Sequence, residues 1–183
     1  MIFLYAAIAG VLLGYVFGGR IHNLPSLRLR GIWLVLAGLV LQLLIFPLFS
    51  AKPLLPYATG PLHILSYALV FAFLAVNLRT RPLVAIGVGA LLNFAAILAN
   101  GGRMPASATA LERAELIETA DRLAAVGTHG NVLLMGESTR LNVLGDWLYL
   151  PGAVPGATAF SIGDVMILIG LVWLIVRGMR EHG

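Results

Sequence analysis

Cysteine is absent from this chain of 183 residues. Disulfides, thiolate metal sites and thiol catalysis are excluded together. Charge is scarce as well: 11% of the residues are Asp, Glu, Lys or Arg, against about 25% in an ordinary soluble domain. A water-soluble fold so poor in charge would expose wide apolar patches. Familiar catalytic signatures are missing too, since no G-x-S-x-G, H-E-x-x-H or S-x-x-K arrangement occurs. His63 is the lone histidine within an apolar run. Bis-histidine haem ligation and a His-rich metal site therefore lack ligands, and no metal is expected.

What the chain has instead is hydrophobicity: 60% of residues are apolar and the mean hydropathy is +0.95. Bilayer is the solvent that fits. The pI near 10.0 would suit a nucleic-acid binder. The basic residues, however, form short clusters at the ends of apolar runs. That placement suits membrane topology and contacts with anionic headgroups, so lipid rather than nucleic acid is the expected partner.

A helix needs roughly 20 mostly apolar residues to cross a bilayer. Five segments qualify, at about 2–18, 31–49, 61–78, 82–99 and 160–176. The expected fold is one all-α domain, a polytopic bundle of five transmembrane helices. Pro47 falls in the last turns of the second span and should kink or end it. Arg20, Arg28, Arg30, Arg79, Arg81, Arg177 and Arg180 all fall on one side if the spans alternate, whereas the loop after span two holds only Lys52. The basic side should be cytoplasmic, which puts the N-terminus outside and the C-terminus inside. Met1 leads directly into apolar sequence without a basic region, so span one is expected to stay as an anchor. The implied location is a bacterial cytoplasmic membrane.

Residues 100–159 then form a long extracytoplasmic loop. Within it, 107–126 has the apolar stripe of one amphipathic helix capping the bundle. Residues 131–151 are fairly apolar but carry Glu137, Arg140 and Asp146. An interfacial or re-entrant segment with Trp147 and Tyr149 at headgroup depth is expected there, not a sixth span.

Three sets of residues stand out. Ala6, Gly10, Gly14 and Gly18 place a small residue at every fourth position of span one. This smooth face serves packing within the bundle, or docks a partner subunit or a second copy. Ala85, Gly89 and Asn93 in span four are a weaker version and the expected matching surface. Polar residues inside the spans, chiefly Gln42, His63, Ser66, Tyr67, Asn77 and Asn93, must face the interior, with Gln42 and Asn93, near mid-span, expected as an interhelical pair or as cavity lining. His63 is either a satisfied interfacial donor or a proton relay or ligand. The third set is an outer-face cluster of Arg103, Arg140, Asp146 and Asp164. Either the arginines pair with the aspartates to pin the loop to the helix ends, or the four line a cleft for a headgroup or small solute. Ser161 and Asp164 also fit a helix cap.

Several of these positions lie in runs that carry a family resemblance: Gly18-Gly19-Arg20, His63-Ile64-Leu65-Ser66-Tyr67-Ala68, Asn100-Gly101-Gly102-Arg103-Met104-Pro105, Thr139-Arg140-Leu141, Leu144-Gly145-Asp146 and Phe160-Ser161-Ile162-Gly163-Asp164. With them the chain resembles, over nearly its whole length, a bacterial family of multi-pass membrane proteins known as a domain of unknown function, family 5317. The resemblance implies a helical membrane fold and supplies no activity, cofactor or catalytic residue. A Pro-rich stretch expected after Gly145-Asp146 is replaced by Trp147-Leu148-Tyr149-Leu150-Pro151-Gly152 and a mild Gly/Ala/Pro loop. The functional expectation is a non-enzymatic membrane protein, an accessory subunit or a lipid or small-solute binder. The alternative is an enzyme or transporter working through the outer cluster.

Overall fold

The computed structural model describes residues 1–45 and 59–180. Five apolar helices form the bundle: α1 (Ile2–Val16), α2 (Ile32–Ile45), α3 (Thr59–Val76), α4 (Arg81–Ala99) and, after the long loop, α7 (Ile162–Arg180). The last turns expected of span two, with Pro47, and the loop residue Lys52 lie outside the described residues. α3, α4 and α7 are long and apolar enough to cross a membrane. The described parts of α1 and α2 have 15 and 14 residues. At 1.5 Å per residue each covers roughly 22 Å of a hydrocarbon core about 30 Å thick. α7 also starts later and ends later than its apolar run suggested. Phe160 belongs to a strand, and Arg177 and Arg180 form the helix's last turn, where cations favour the negative dipole end.

Side-chain size sets the packing order, a row of α1, α7, α4, α3 and α2. Ala6, Gly10 and Gly14 turn their stripe onto α7: a Cβ on Gly10 would lie 3.0 Å from Ile175, and one on Gly14 would run into Met179. The stripe is thus filled from within the chain. Gly18 stands apart from it, beyond the end of α1 with φ +76° and open space around it. The other small-residue face, on α4, does not meet α1 as the sequence suggested. Gly89 lies against the carbonyl of Gly163 on α7, and Gly170 of α7 lies against Ile86 and Pro82. α7 is therefore the central helix, with glycines on both flanks.

The bundle turns apolar side chains outward and polar ones inward. Phe3, Ile8, Leu12, Trp33, Leu36, Val40, Leu91 and Ile169 are exposed, whereas His63, Ser66, Asn77, Asn93 and Ser161 are buried. This inversion is what hydrocarbon demands, because an unpaired polar group there costs several kcal/mol (about). The expected Gln42–Asn93 pair does not form, since α2 and α4 face different neighbours. Gln42 donates to Ser66 Oγ on α3 (3.2 Å), and Asn93 turns to α7.

The loop between α4 and α7 is not purely helical. β1 (Met104–Ala106) pairs in parallel with β3 (Val132–Leu134), which pairs antiparallel with β2 (Thr128–His129); β4 (Leu148–Leu150) pairs antiparallel with β5 (Thr158–Phe160). The strand and 3-10 geometry of 131–151 replaces any sixth span. The single amphipathic helix expected at 107–126 is two: α5 (Ala108–Arg113) and α6 (Ile117–Val126). Glu115 has φ +57° and breaks it. Leu116 N–H bonds to Leu111 O and Glu115 N–H to Glu112 O, the two reversed bonds of a Schellman ending, made here without glycine. Leu111 and Leu116 then join Ala106, Ala120, Leu123, Val132 and Leu134 in a separate small core. That core holds the loop as a folded cap over one end of the bundle.

Candidate functional site

The loop end gathers the polar residues of α3, α4 and α7. Gly163 leaves space where a Cβ would collide with the Asn93 amide, so α4 and α7 meet through that side chain. Asn93 lies six residues before Ala99, which puts it about 9 Å from the loop end, nearer to the surface than to the bilayer centre. Its Nδ2 donates to Asp164 Oδ1 (2.8 Å), and its Oδ1 accepts from the Ser161 hydroxyl (2.7 Å). Ser161 and Asp164 are also joined reciprocally: Asp164 N–H donates to Ser161 Oγ (2.9 Å) and Ser161 N–H to Asp164 Oδ2 (3.0 Å). This is a capping box with aspartate as its acid. A carboxylate also suits the positive end of the α7 dipole.

Asp146 reaches the same place from the loop. Its backbone is fixed like a strand residue, with N–H to Pro105 O at 2.8 Å and its carbonyl accepting from Ser107 N–H at 2.9 Å. Its side chain has no such fixing: among the described residues the carboxyl makes no hydrogen bond and no ion pair. Burial, and then the negative charge of Asp164, push this carboxyl up to about 8. Tyr67 on α3 lies within electrostatic reach of both aspartates. It heads an aromatic group in which its ring centroid is 5.5 Å from His63 and 5.3 Å from Phe94.

His63 is tied to the turn after α4. Its Nδ1 lies 3.0 Å from Gly102 O. Gly102 has φ +91°, and a Cβ there would sit 3.1 Å from Gly60 Cα, so both the conformation and the close approach require glycine. Two residues earlier in this motif, Asn100 acts as a clamp. Its Oδ1 accepts from Arg140 N–H (2.8 Å), while Nδ2 donates to Arg140 O (2.7 Å) and to Ala96 O of its own helix (2.8 Å). Asn77 does the same at the opposite end of the bundle, gripping both backbone groups of Arg30 and bonding Phe73 O.

Of the expected outer-face cluster, the fold brings Asp146 and Asp164 together and leaves Arg103 and Arg140 at the rim with exposed side chains. The expected Arg–Asp pins are absent: among the described residues the one ion pair is Arg122–Glu118 (2.8 Å) on the surface of α6. Arg140 contributes through its backbone, held by an amide and not by a carboxylate. Sequence reasoning placed Ser161 with Asp164, because their spacing is local. It missed Asn93 as their partner, which lies 71 residues before Asp164 and is brought there by the glycine contact of α4 with α7. The signal available was the Gly89-x-x-x-Asn93 stripe facing a second glycine helix. Among the described residues no group of three or more His, Asp or Glu is placed to hold a metal ion.

No curated protein and no solved structure matches the chain. A family model does, over residues 26–176, which takes in α2, the loop cap, every residue of the loop-end site and most of α7. The chain therefore belongs to the family of unknown function DUF5317.

Proposed function

We propose that the chain is a non-enzymatic integral membrane protein of a bacterial cytoplasmic membrane, with five spans, the N-terminus outside and the C-terminus inside. Its loop face, on this reading extracytoplasmic, binds a small polar group bearing positive charge, on a solute or a lipid headgroup. The five-span topology draws support from the outward apolar faces of α1 and α2. Arg20 N–H bonds to Met179 O, and Arg30 is clamped by Asn77. These contacts gather the arginine-bearing turns at one end, and the positive-inside rule makes that end cytoplasmic.

The observation that carries the binding reading is Asp146. A carboxyl drawn into a partly buried site beside a second carboxylate, with no cation paired to it among the described residues, is complemented by a cation. Tyr67 adds an aromatic wall of the kind that favours ammonium groups. The test is thermal melting of the purified protein in detergent with ammonium-bearing probes, ethanolamine and choline. A melting-temperature rise that is larger above pH 8 (about) than below pH 6 (about) is expected, because the ionised Asp146 is the binding form. Asp146→Asn should abolish the rise. No rise in the parent protein, or an equal rise in Asp146→Asn, overturns the reading.

A further inference from the structure

The opposite end of the bundle has its own cavity, of about 680 Å³, between the approach to α2 and the turn from α3 to α4. Arg28, Arg30 and Arg79 line it together with Asn77 and Thr80. The cavity is built on fixed backbone. Asn77 holds the N–H and carbonyl of Arg30 at 2.9 and 2.7 Å, and Thr80 N–H bonds to Asn77 O at 2.9 Å. Thr80 is also the N-cap of α4, yet its side chain makes no capping hydrogen bond, and the first turn of α4 contains no acid. Among the described residues the positive end of that helix has no acidic or side-chain cap.

The arginines lack an acidic partner too: among the described residues Arg28, Arg30 and Arg79 make no ion pair. Every described acid belongs to the loop or to the loop end of α7. Arg28, Arg30 and Arg79 are exposed around one cavity and, with no acid paired to them among the described residues, are available to an anion. Their planar forks match the oxygens of a phosphate better than a point charge does. Topology alone would ask only for basic residues in short loops, not for a clamped backbone around a cavity.

We infer that this cavity binds a phosphate group, presented by an anionic phospholipid. The lipid source is favoured because Arg81, two residues beyond Arg79, heads an apolar groove of about 350 Å³ along Val84, Val88 and Trp173. The groove begins at the residue after Thr80 of the cavity, so an acyl chain has an apolar surface at hand that free phosphate does not use. The inference is independent of the loop-face reading, since it uses different residues at the other end.

The test is native mass spectrometry of the full chain, released from detergent after equilibration with equal amounts of phosphatidylglycerol and phosphatidylcholine. A parallel arm melts the protein with inorganic phosphate alone. Preferential retention of phosphatidylglycerol is expected, and Arg30→Gln with Arg79→Gln should reduce that preference on the order of tenfold. A charge-matched control, Arg20→Gln with Arg180→Gln, should keep it. Stabilisation by inorganic phosphate without lipid preference would identify free phosphate as the source and overturn the lipid assignment. No preference in the parent protein, or equal loss in both double variants, overturns the site itself. The parent measurement decides even if a variant fails to fold.

Discussion

Asp146 is a residue whose protonation couples to folding. Its carboxyl keeps its proton up to about pH 8 in the folded chain, whereas the ordinary value is 3.8. Between these values the folded state binds more protons than the unfolded state, so stability falls as pH rises. The contribution is complete below the ordinary value and is lost once pH passes the raised one. Melting in detergent should therefore show a lower transition temperature near pH 9 (about) than near pH 5 (about), and Asp146→Asn should flatten that difference. Asn100 makes a second prediction at this scale. Removing its amide in Asn100→Ala leaves both backbone groups of Arg140 without their partner, at a cost of about 1–2 kcal/mol in chemical denaturation. Asn100→Asp should be worse, because a carboxylate would then face the carbonyls of Ala96 and Arg140. Neither role shows in the sequence. Asp146 and Asn100 look alike there, as polar residues beside glycine, and only the fold separates a strand-held carboxyl from a clamp.

At the scale of elements, the glycines of the two α7 interfaces differ in what they face. A Cβ on Gly14 meets the flexible end of Met179, which can move; one on Gly89 meets the backbone of Gly163 and Ile167, which cannot. Gly89→Ala should therefore destabilise by about 1–3 kcal/mol, and Gly14→Ala by clearly less, in the same denaturation assay. The apolar helices were legible from the sequence because their runs are long and bounded by proline, arginine and glycine. Their partners were not. Small-residue stripes on α1 and α4 look complementary in isolation, yet both turn to α7, whose Gly163, Gly170 and Gly178 are spread along an otherwise bulky helix. The break between α5 and α6 was hidden for another reason: it falls at Glu115, a good helix former held left-handed by the packing of Leu111 and Leu116. Strands of two or three residues, such as β2 and β3, are too short to show a period of their own.

For the whole molecule, the absence of cysteine becomes an experimental advantage. Single-cysteine variants at exposed positions report which side of the membrane each end occupies. Asp121→Cys on α6 should react with an impermeant maleimide in intact cells, and Arg180→Cys at the end of α7 only after the membrane is opened. The reverse pattern would invert the proposed orientation, and labelling of both from outside would refute a single crossing by α7 between them. The expected pattern rests on the charge distribution, with the described acids in the cap and at the loop end of α7, and the arginines of the α1–α2 and α3–α4 turns at the other end.

The Asn100 clamp has a chemical consequence over time. Asparagine followed by glycine is the dipeptide most prone to cyclise to a succinimide and hydrolyse to aspartate or isoaspartate, and Gly101 follows Asn100. In the folded chain the side-chain amide is engaged by Arg140 and Ala96 and is kept from swinging onto the next peptide nitrogen. Unfolded chains have no such restraint. Protein held in denaturant should thus age at this one bond and lose the ability to close its cap again, while folded protein of the same age stays intact.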